Sequence, residues 1–419
     1  MGRRSFAVGI TFLLTPVVAR LFTPTHWGIA TLFMGICNAV GPVASLQYER
    51  SIAVAKEHGE ARALVRLCAL VSLGVQCIVI ILGYVLWSTT WMQRTVTQLS
   101  LWLWLIPLGI ALESGTTILQ SWVLRHKRYD TLGNSEVAQA LGRTSMRIAA
   151  GAAFGSAVAG LVWSYLIAYA ATLGILLRAC RGAATLRPHD SERHSIAELA
   201  KRYRDFPKFN APVGVLMQAT RQLPIFVLAS YFGPAAAGFF GMADRLIRTP
   251  LYVTTNTVRQ VFLQKIADTA NAGRSIRPAL TKTVLGLAMI AIVPTGLIWV
   301  FGQEIIVFAL GQKWEAAGRM AEIMAPYLFV QWLGAPFQGA AIVMRRQKQW
   351  FYTQTISAAS RLVMLPAAIF WATTPEGIVS IYVWTTVATQ TVAMTILARS
   401  IPAVRDATQS ASAGRRHKR

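Results

Sequence analysis

Six arginines stand deep inside stretches otherwise too apolar to hold a charge: Arg143 and Arg147, Arg221, Arg245 and Arg248, and Arg361. Arg20 lies near the end of another such stretch. A guanidinium is a planar, permanently charged fork that takes phosphate or carboxylate oxygens two at a time. At bilayer depth a charge costs about 2.5–3.5 kcal/mol on insertion scales, so it faces a partner or a water-filled cavity. The acids at comparable depth are Glu113 and Asp244, which leaves a surplus of four cations among the six. Arg143 and Arg147 are four residues apart and share a helical face with Glu136 and Gln139. Like charges so placed repel, so something anionic or aqueous must lie opposite them. Asp244 and Arg248 have the same spacing and can pair, while Gln218, Arg221 and Gln222, and Gln354, Ser357 and Arg361, form similar polar stripes. The pattern predicts anion recognition, with Arg20, Arg143, Arg147, Arg221, Arg245, Arg248 and Arg361 as the substrate-binding set. Glu113 and Asp244 are the candidate ion-coupling acids. The competing explanation for each arginine is interhelical packing and hydration.

Other chemistry is absent from the pattern. No Ser/His/Asp, Cys/His or paired-carboxylate arrangement emerges outside the apolar stretches. The six histidines show no ligand spacing, and Cys37, Cys68, Cys77 and Cys180 all fall in or beside apolar runs without a CxxC pair. No metal and no cofactor is expected. There is no Walker pattern, and the longest polar segment, 178–210, is too short for an ATPase cassette.

The elements that must position the arginines follow from composition. Of 419 residues, 54% are hydrophobic and only 14% charged, with a mean hydropathy of +0.46. A soluble domain carries about a quarter charged residues, so a soluble enzyme, a secreted domain and a disordered chain are set aside. Apolar runs of spanning length occur at 5–22, 27–48, 63–87, 99–124, 136–154, 158–177, 211–232, 236–262, 278–301, 318–344, 351–372 and 378–398. The N-terminus, the even-numbered connections and the tail hold 28 Lys and Arg, against two, Arg94 and Lys313, in the odd-numbered connections. Basic residues mark the cytoplasmic side, so both termini are expected there. The formal net charge of +24 is then an orientation signal and an attraction for anionic lipid. No cleavable signal peptide is evident. The chain starts four residues before its first apolar run, which leaves an upstream start codon open.

The halves repeat. Leu21-Phe22-Thr23-Pro24 leads to Gly28 as Tyr231-Phe232-Gly233-Pro234 leads to Gly238. Pro107 precedes the basic cluster at Arg125 much as Pro326 precedes the one at Arg345. The fold class expected is an all-α polytopic membrane protein of about twelve helices, in two pseudo-symmetric six-helix lobes around a central cavity. The expected divisions are an N-terminal lobe 1–177, a basic cytoplasmic linker 178–210, a C-terminal lobe 211–398 and a basic tail 399–419. Within the linker, Ile196, Leu199 and Tyr203 fall on one face of a surface helix over 195–204. Prolines inside the spans, Pro16, Pro224, Pro294 and Pro366 among them, predict kinks.

Several segments carry a family resemblance. Arg20-Leu21-Phe22-Thr23-Pro24 with Gly28, Leu46-Gln47-Tyr48-Glu49 with Ile52-Ala53-Val54, Ala243-Asp244-Arg245 with Pro250, and Leu310-Gly311-Gln312-Lys313-Trp314 with Ala325-Pro326 and Gln331 stand in order along the chain. Together they resemble bacterial O-antigen and exopolysaccharide flippases, a branch of the multidrug/oligosaccharidyl-lipid/polysaccharide exporter superfamily. Gln47 departs from the family, which often has a basic residue there. The resemblance implies movement of an undecaprenyl-diphosphate-linked oligosaccharide from the cytoplasmic to the periplasmic leaflet of the bacterial inner membrane, by alternating access and without enzymatic chemistry. The partners implied are that lipid-linked sugar, membrane lipids, a glycan polymerase and a chain-length regulator, with no nucleic acid. Arg245 and Arg20 correspond to arginines that the related lipid II flippases place in their cavity and near the end of their first span. The alternatives are a drug/cation antiporter of the same superfamily and a membrane glycan polymerase or ligase.

Overall fold

The computed structural model describes residues 2–55, 57–87, 99–155, 157–181, 195–271, 275–344 and 346–401. The tail beyond 401 and linker residues 182–194 lie outside these, as do the side chains of 250–261. Every regular element among the described residues is helical: α1 Gly2–Leu13, α2 Thr15–Leu21, α3 Pro24–Val40, α4 Glu49–Val54, α5 His58–Trp87, α6 Ile106–Arg125, α7 Tyr129–Phe154, α8 Val158–Arg181, α9 Ile196–Arg202, α10 Ala211–Phe232, α11 Pro234–Asn271, α12 Arg277–Leu310, α13 Glu315–Val343, α14 Gln347–Ala368 and α15 Pro375–Arg399. In hydrocarbon no water can satisfy a backbone amide, so a spanning chain bonds to itself along a helix. Each of the twelve apolar runs is a helix here, the first divided into α1 and α2. The break at Leu14 precedes Pro16, whose ring lacks an amide hydrogen and crowds the preceding turn. Six helices among the described residues are apolar enough to cross a membrane by composition alone, those within His58–Val85, Trp102–Arg125, Val158–Cys180, Phe206–Phe232, Arg277–Leu310 and Pro375–Arg399. Helices α7, α11 and α14 are more polar, and they hold five of the six deep arginines.

Local signals set the boundaries. The Thr23 and Thr374 hydroxyls accept from the amides of His26 (3.3 Å) and Gly377 (3.2 Å), each followed by a proline suited to a first helical turn. Gly233 and Gly311 end α10 and α12 with φ of 84° and 100°, a region that penalises any side chain. Pro294 lies inside α12, yet the non-helical residue there is Phe301 (φ −123°, ψ 19°).

The chain forms two compact units, Met1–Gly241 and Met242–Arg419, divided within α11. In the first, α10 packs on α3, and the Gln218 side-chain amide donates to the Asn38 carbonyl at 2.8 Å. The linker helix α9 buries Leu199 among Tyr48, Ile52, Leu64, Trp122 and Leu176. It is pinned there by Tyr48, donating to the Ala200 carbonyl (3.1 Å), and by Tyr203 and Arg202, both on Glu60 (3.0 Å). In the second unit α12, α13 and α15 pack around Phe262, Ile266, Phe337, Ala340 and Leu397.

The duplication is visible in helix registers. α7 and α14 begin 218 residues apart, and α6 and α13 end 218 apart. Gly160-Leu161-Val162 leads to Tyr165 in α8 as Gly377-Ile378-Val379 leads to Tyr382 in α15. Leu161, Val162, Tyr165, Ile378, Val379 and Tyr382 are all buried.

The repeated Pro-x-x-x-Gly segments touch each other within the first unit. A Cβ on Gly28 would stand 1.7 Å from the Pro234 carbonyl oxygen, and one on Gly238 would stand 2.1 Å from that of Pro24. Both obstacles are backbone, so no rotamer relieves them. Gly28→Ala and Gly238→Ala are each expected to cost about 1–3 kcal/mol by forcing the helices apart, read as a lowered Tm in detergent; an unchanged Tm would show that the helices separate freely.

Between α3 and α4 the chain reverses through Leu46 (φ 50°) and Gln47 (φ 63°), two consecutive left-handed residues without glycine. The turn delivers Glu49 into a buried position, where the Ser45 hydroxyl donates to its carboxylate. Burial pushes the Glu49 carboxyl above the usual range, and the Ser45 bond only partly offsets this. The folded state therefore favours the protonated acid, so stability is gained as pH falls through the raised pKa. Glu49→Gln is expected to melt higher than wild type at pH 8, with the difference closing towards pH 4. A gap independent of pH would refute this account.

Candidate functional site

α6, α7 and α8 carry their polar residues on facing sides, and in the first unit these meet. Glu113 of α6 is 6% exposed. The Tyr165 hydroxyl of α8 donates to its Oε2 at 2.8 Å. Arg143 of α7 lies over the rings of both Tyr165 (5.2 Å) and Tyr169 (5.3 Å), within electrostatic reach of Glu113. The Glu113 carboxyl is set against the end of α3, where a Cβ on Gly41 would come within 2.8 Å of Cδ. A cavity of about 370 Å³ opens beside this group, lined by Glu113, Thr116, Gln120, Glu136, Gln139 and Tyr169 together with small apolar residues of α1. Glu113 thus supplies a carboxylate within electrostatic reach of Arg143.

Arg147, one turn further on, meets different neighbours. It is 2% exposed, with Nε donating to the Ser164 hydroxyl at 3.3 Å, a guanidinium nitrogen 3.4 Å from Met34 Sδ, and Cζ 5.2 Å from the Trp27 ring centre. Arg147 is thus packed where α3, α7 and α8 meet.

In the second unit Asp244 and Arg248 form the ion pair that their spacing allows. Arg248 also lies 5.4 Å from the ring centre of Tyr327, which is tilted against Tyr382 at 6.2 Å. Gln331 donates to the Tyr327 hydroxyl at 2.9 Å. Arg361 returns its Nε to the Ser357 carbonyl of its own helix (3.0 Å). Arg245 and Arg361 are half-buried, and Arg221 and Arg20 are exposed. The structure thus gathers Glu113 with Arg143 in one unit and Asp244 with Arg248 in the other, and leaves Arg20 and Arg221 outside both clusters. Arg143 and Arg361 occupy the same register, each fourteen residues from the start of its helix.

Sequence reasoning missed Tyr165, Tyr169 and the cavity-lining role of Glu136. The i, i+3, i+7 spacing of Glu136, Gln139 and Arg143 held a signal for the last, since one helical face carries all three.

Residues 17–319 match the profile of a family described as polysaccharide biosynthesis proteins. The chain belongs to that family. No curated protein matches it by sequence. Among solved structures it is similar to the lipid II flippase MurJ in an inward closed conformation, at 12% identity and a TM-score of 0.71, covering 94% of this chain and 86% of that one. It is also similar to a multidrug resistance MATE family transporter of the MOP superfamily in an inward-facing conformation, at 12% identity and a TM-score of 0.64, covering 96% of each chain. A third is the MATE multidrug transporter DinF-BH, at 14% identity and a TM-score of 0.63, covering 95% of this chain and 93% of that one. At these identities the likeness establishes the fold: this is an all-helical, multi-pass membrane protein that folds as these structures do.

The Arg147 geometry yields a direct test. Arg147→Ala removes a buried charge with its bonds and ring contact, at an expected cost of about 2 kcal/mol or more. Arg147→Lys should also lower Tm, because one ammonium cannot serve Ser164, Met34 and Trp27 in the same plane. A wild-type Tm in both variants would return Arg147 to the substrate-binding set.

Proposed function

We propose that the protein flips a lipid-linked oligosaccharide, an undecaprenyl-diphosphate-linked repeat unit for surface polysaccharide such as O-antigen or exopolysaccharide. Movement runs from the cytoplasmic to the periplasmic leaflet of the bacterial inner membrane, with both termini cytoplasmic. The observation that carries this reading is the surplus of arginines inside the spans of a chain belonging to a polysaccharide biosynthesis family. A diphosphate brings two negative charges or more, and guanidinium forks match its oxygens bidentately. With Arg147 committed to packing and Arg248 to Asp244, the diphosphate falls to Arg143, Arg221, Arg245 and Arg361, with Arg20 at the end of the first span.

Alternating access, driven by a gradient, needs no covalent step, and the protein acts as a transporter with no catalytic residue. Glu113 and Asp244 are the acids available for ion coupling. A glycan polymerase and a chain-length regulator are its expected partners in the membrane. The expected organisation is two repeats, 1–177 and 211–398, joined by the basic linker 178–210 and followed by the basic tail 399–419. The MATE-like fold favours a second reading, export of a cationic drug. A cation exporter calls for surplus acid within the spans, whereas this chain has surplus arginine.

The test uses vesicles holding a labelled lipid-diphosphate oligosaccharide, with sugar exposure followed by an external glycan-cleaving enzyme. Wild type should expose the sugar quickly. Arg245→Ala and Arg361→Ala should each slow exposure about 10–100-fold, the loss of a charged hydrogen-bonding contact. No exposure by wild type, with export of a cationic dye instead, would replace this reading with the drug antiporter.

A further inference from the structure

The first half of α12 has two faces. Ile276 and Leu280 turn inward and cluster with Phe262, Ile266 and Phe337. On the opposite side two rows of residues, each repeating every fourth position, run along the helix. One row is Arg277, Thr281, Leu285 and Met289, all exposed, and the other is Pro278, Lys282 and Gly286. A groove of about 680 Å³ follows both rows. At 1.5 Å per residue they extend about 18 Å.

Polarity is divided along that length. Arg277, Thr281 and Lys282 stand at the start, and Leu285, Gly286 and Met289 form the rest. Beyond them Ile292 and Val293 continue the apolar surface, both exposed. Gly286 makes a notch, because a Cβ built there meets nothing within 4 Å.

We infer that this groove holds one anionic phospholipid, with its phosphate at Arg277, Thr281 and Lys282 and an acyl chain along Leu285, Gly286 and Met289. The occupant is a structural lipid, so the inference stands apart from what the chain transports.

Three observations support it. First, the charge there is uncompensated. No acid occurs between Arg277 and Gln303. Among the described residues neither the Arg277 nor the Lys282 side chain forms an ion pair, whereas Arg202, Arg248 and Arg319 each meet a carboxylate. A phosphate diester supplies one negative charge and acceptor oxygens that suit a guanidinium fork, an ammonium and a hydroxyl together. A zwitterionic headgroup would bring a cation as well, and no acid lines the groove to receive it. Second, basic residues that merely reach for water from a helix end need no groove beneath them. Here the charged end opens into an apolar channel with a side chain missing from its floor. Third, the described lining residues include no carboxamide, carboxylate or aromatic ring, so the sugar of a lipid-linked oligosaccharide has nothing to recognise it there. In the first unit the start of α5 is covered by protein, with Leu64 and Leu67 in one cluster with Leu199 of α9. On α12 the lipid supplies the cover.

The experiment uses the full-length protein in detergent with phosphatidylglycerol or phosphatidylcholine of identical chains, each bearing a photoactivatable diazirine in one chain. Labelled positions are mapped by mass spectrometry, and labelling of residues 277–289 is divided by that of the exposed apolar face Ile78–Leu82 of α5. Wild type should favour phosphatidylglycerol over phosphatidylcholine at 277–289 by about tenfold, the influence of two basic residues on an anionic lipid. Unlabelled phosphatidylglycerol should displace the probe, while soluble glycerol phosphate should not. The double variant Arg277→Gln, Lys282→Gln should lose the preference and keep the phosphatidylcholine signal. Gly286→Leu fills the notch with both charges in place and should lower phosphatidylglycerol labelling about tenfold. Leucine favours a helix over glycine, so this variant is expected to fold with a Tm no lower than wild type. Equal labelling by the two lipids in wild type, a preference surviving in the double variant, or unchanged labelling in Gly286→Leu overturns the inference. Displacement by undecaprenyl diphosphate at lower concentration than by phosphatidylglycerol also overturns it, and gives the groove to the transported lipid.

Discussion

A charge or an unpaired backbone group cannot be left dry in hydrocarbon, and this constraint decides most of what the chain can be. It restricts the spanning elements to helices and requires each deep arginine to have an answer. The answers differ. Arg147 is closed in by Ser164, Met34 and Trp27, Arg248 by Asp244 and Tyr327, and Arg143 lies over two tyrosine rings beside Glu113. Charge is tolerated here because aromatic faces and short hydroxyl contacts replace hydration, and such contacts gain strength in a low dielectric.

The same requirement explains the distribution of polarity among the helices. α5 and α12 present long exposed apolar faces, Ile78 to Leu82 and Leu285 to Val300 among them, as suits contact with lipid. α7 and α14 are moderately polar along one face, and in the first unit that face borders a cavity. At the registers where α6 and α7 carry Glu113 and Glu136, α13 and α14 carry Gln331 and Gln354.

Much of this was legible in the sequence. Spanning runs are long and the signal accumulates over about 20 residues, so twelve helices could be placed. Leu199 and Tyr203 on one helical face announced α9, and the i,i+4 spacing of Asp244 and Arg248 announced their ion pair. Arg143 and Arg147 share a helical face yet meet different neighbours. Periodicity places both on one face but cannot say which neighbouring helix each meets, and Ser164 and Tyr165, adjacent on α8, take one arginine each. Periodicity places Glu136 on the face of Arg143 and Arg147, but that it lines a cavity is a tertiary fact. The glycine contact between α3 and α11 was visible as a repeated Pro-x-x-x-Gly, but that the two copies touch each other is a tertiary fact.

The packing of α10 and the start of α11 onto α3 bears on how the protein is made. α3 ends at Val40, yet Pro234 and Gly238, which cover Gly28, and Gln218, which reaches Asn38, are translated roughly two hundred residues later. At about 5–20 residues per second, one side of α3 waits in the membrane for roughly 10–40 s before its partners arrive. Assembly order is therefore uncoupled from synthesis order. A nascent chain stalled before that point presents a glycine-notched helix face to any helix that passes, including those of other proteins and of the membrane quality-control machinery.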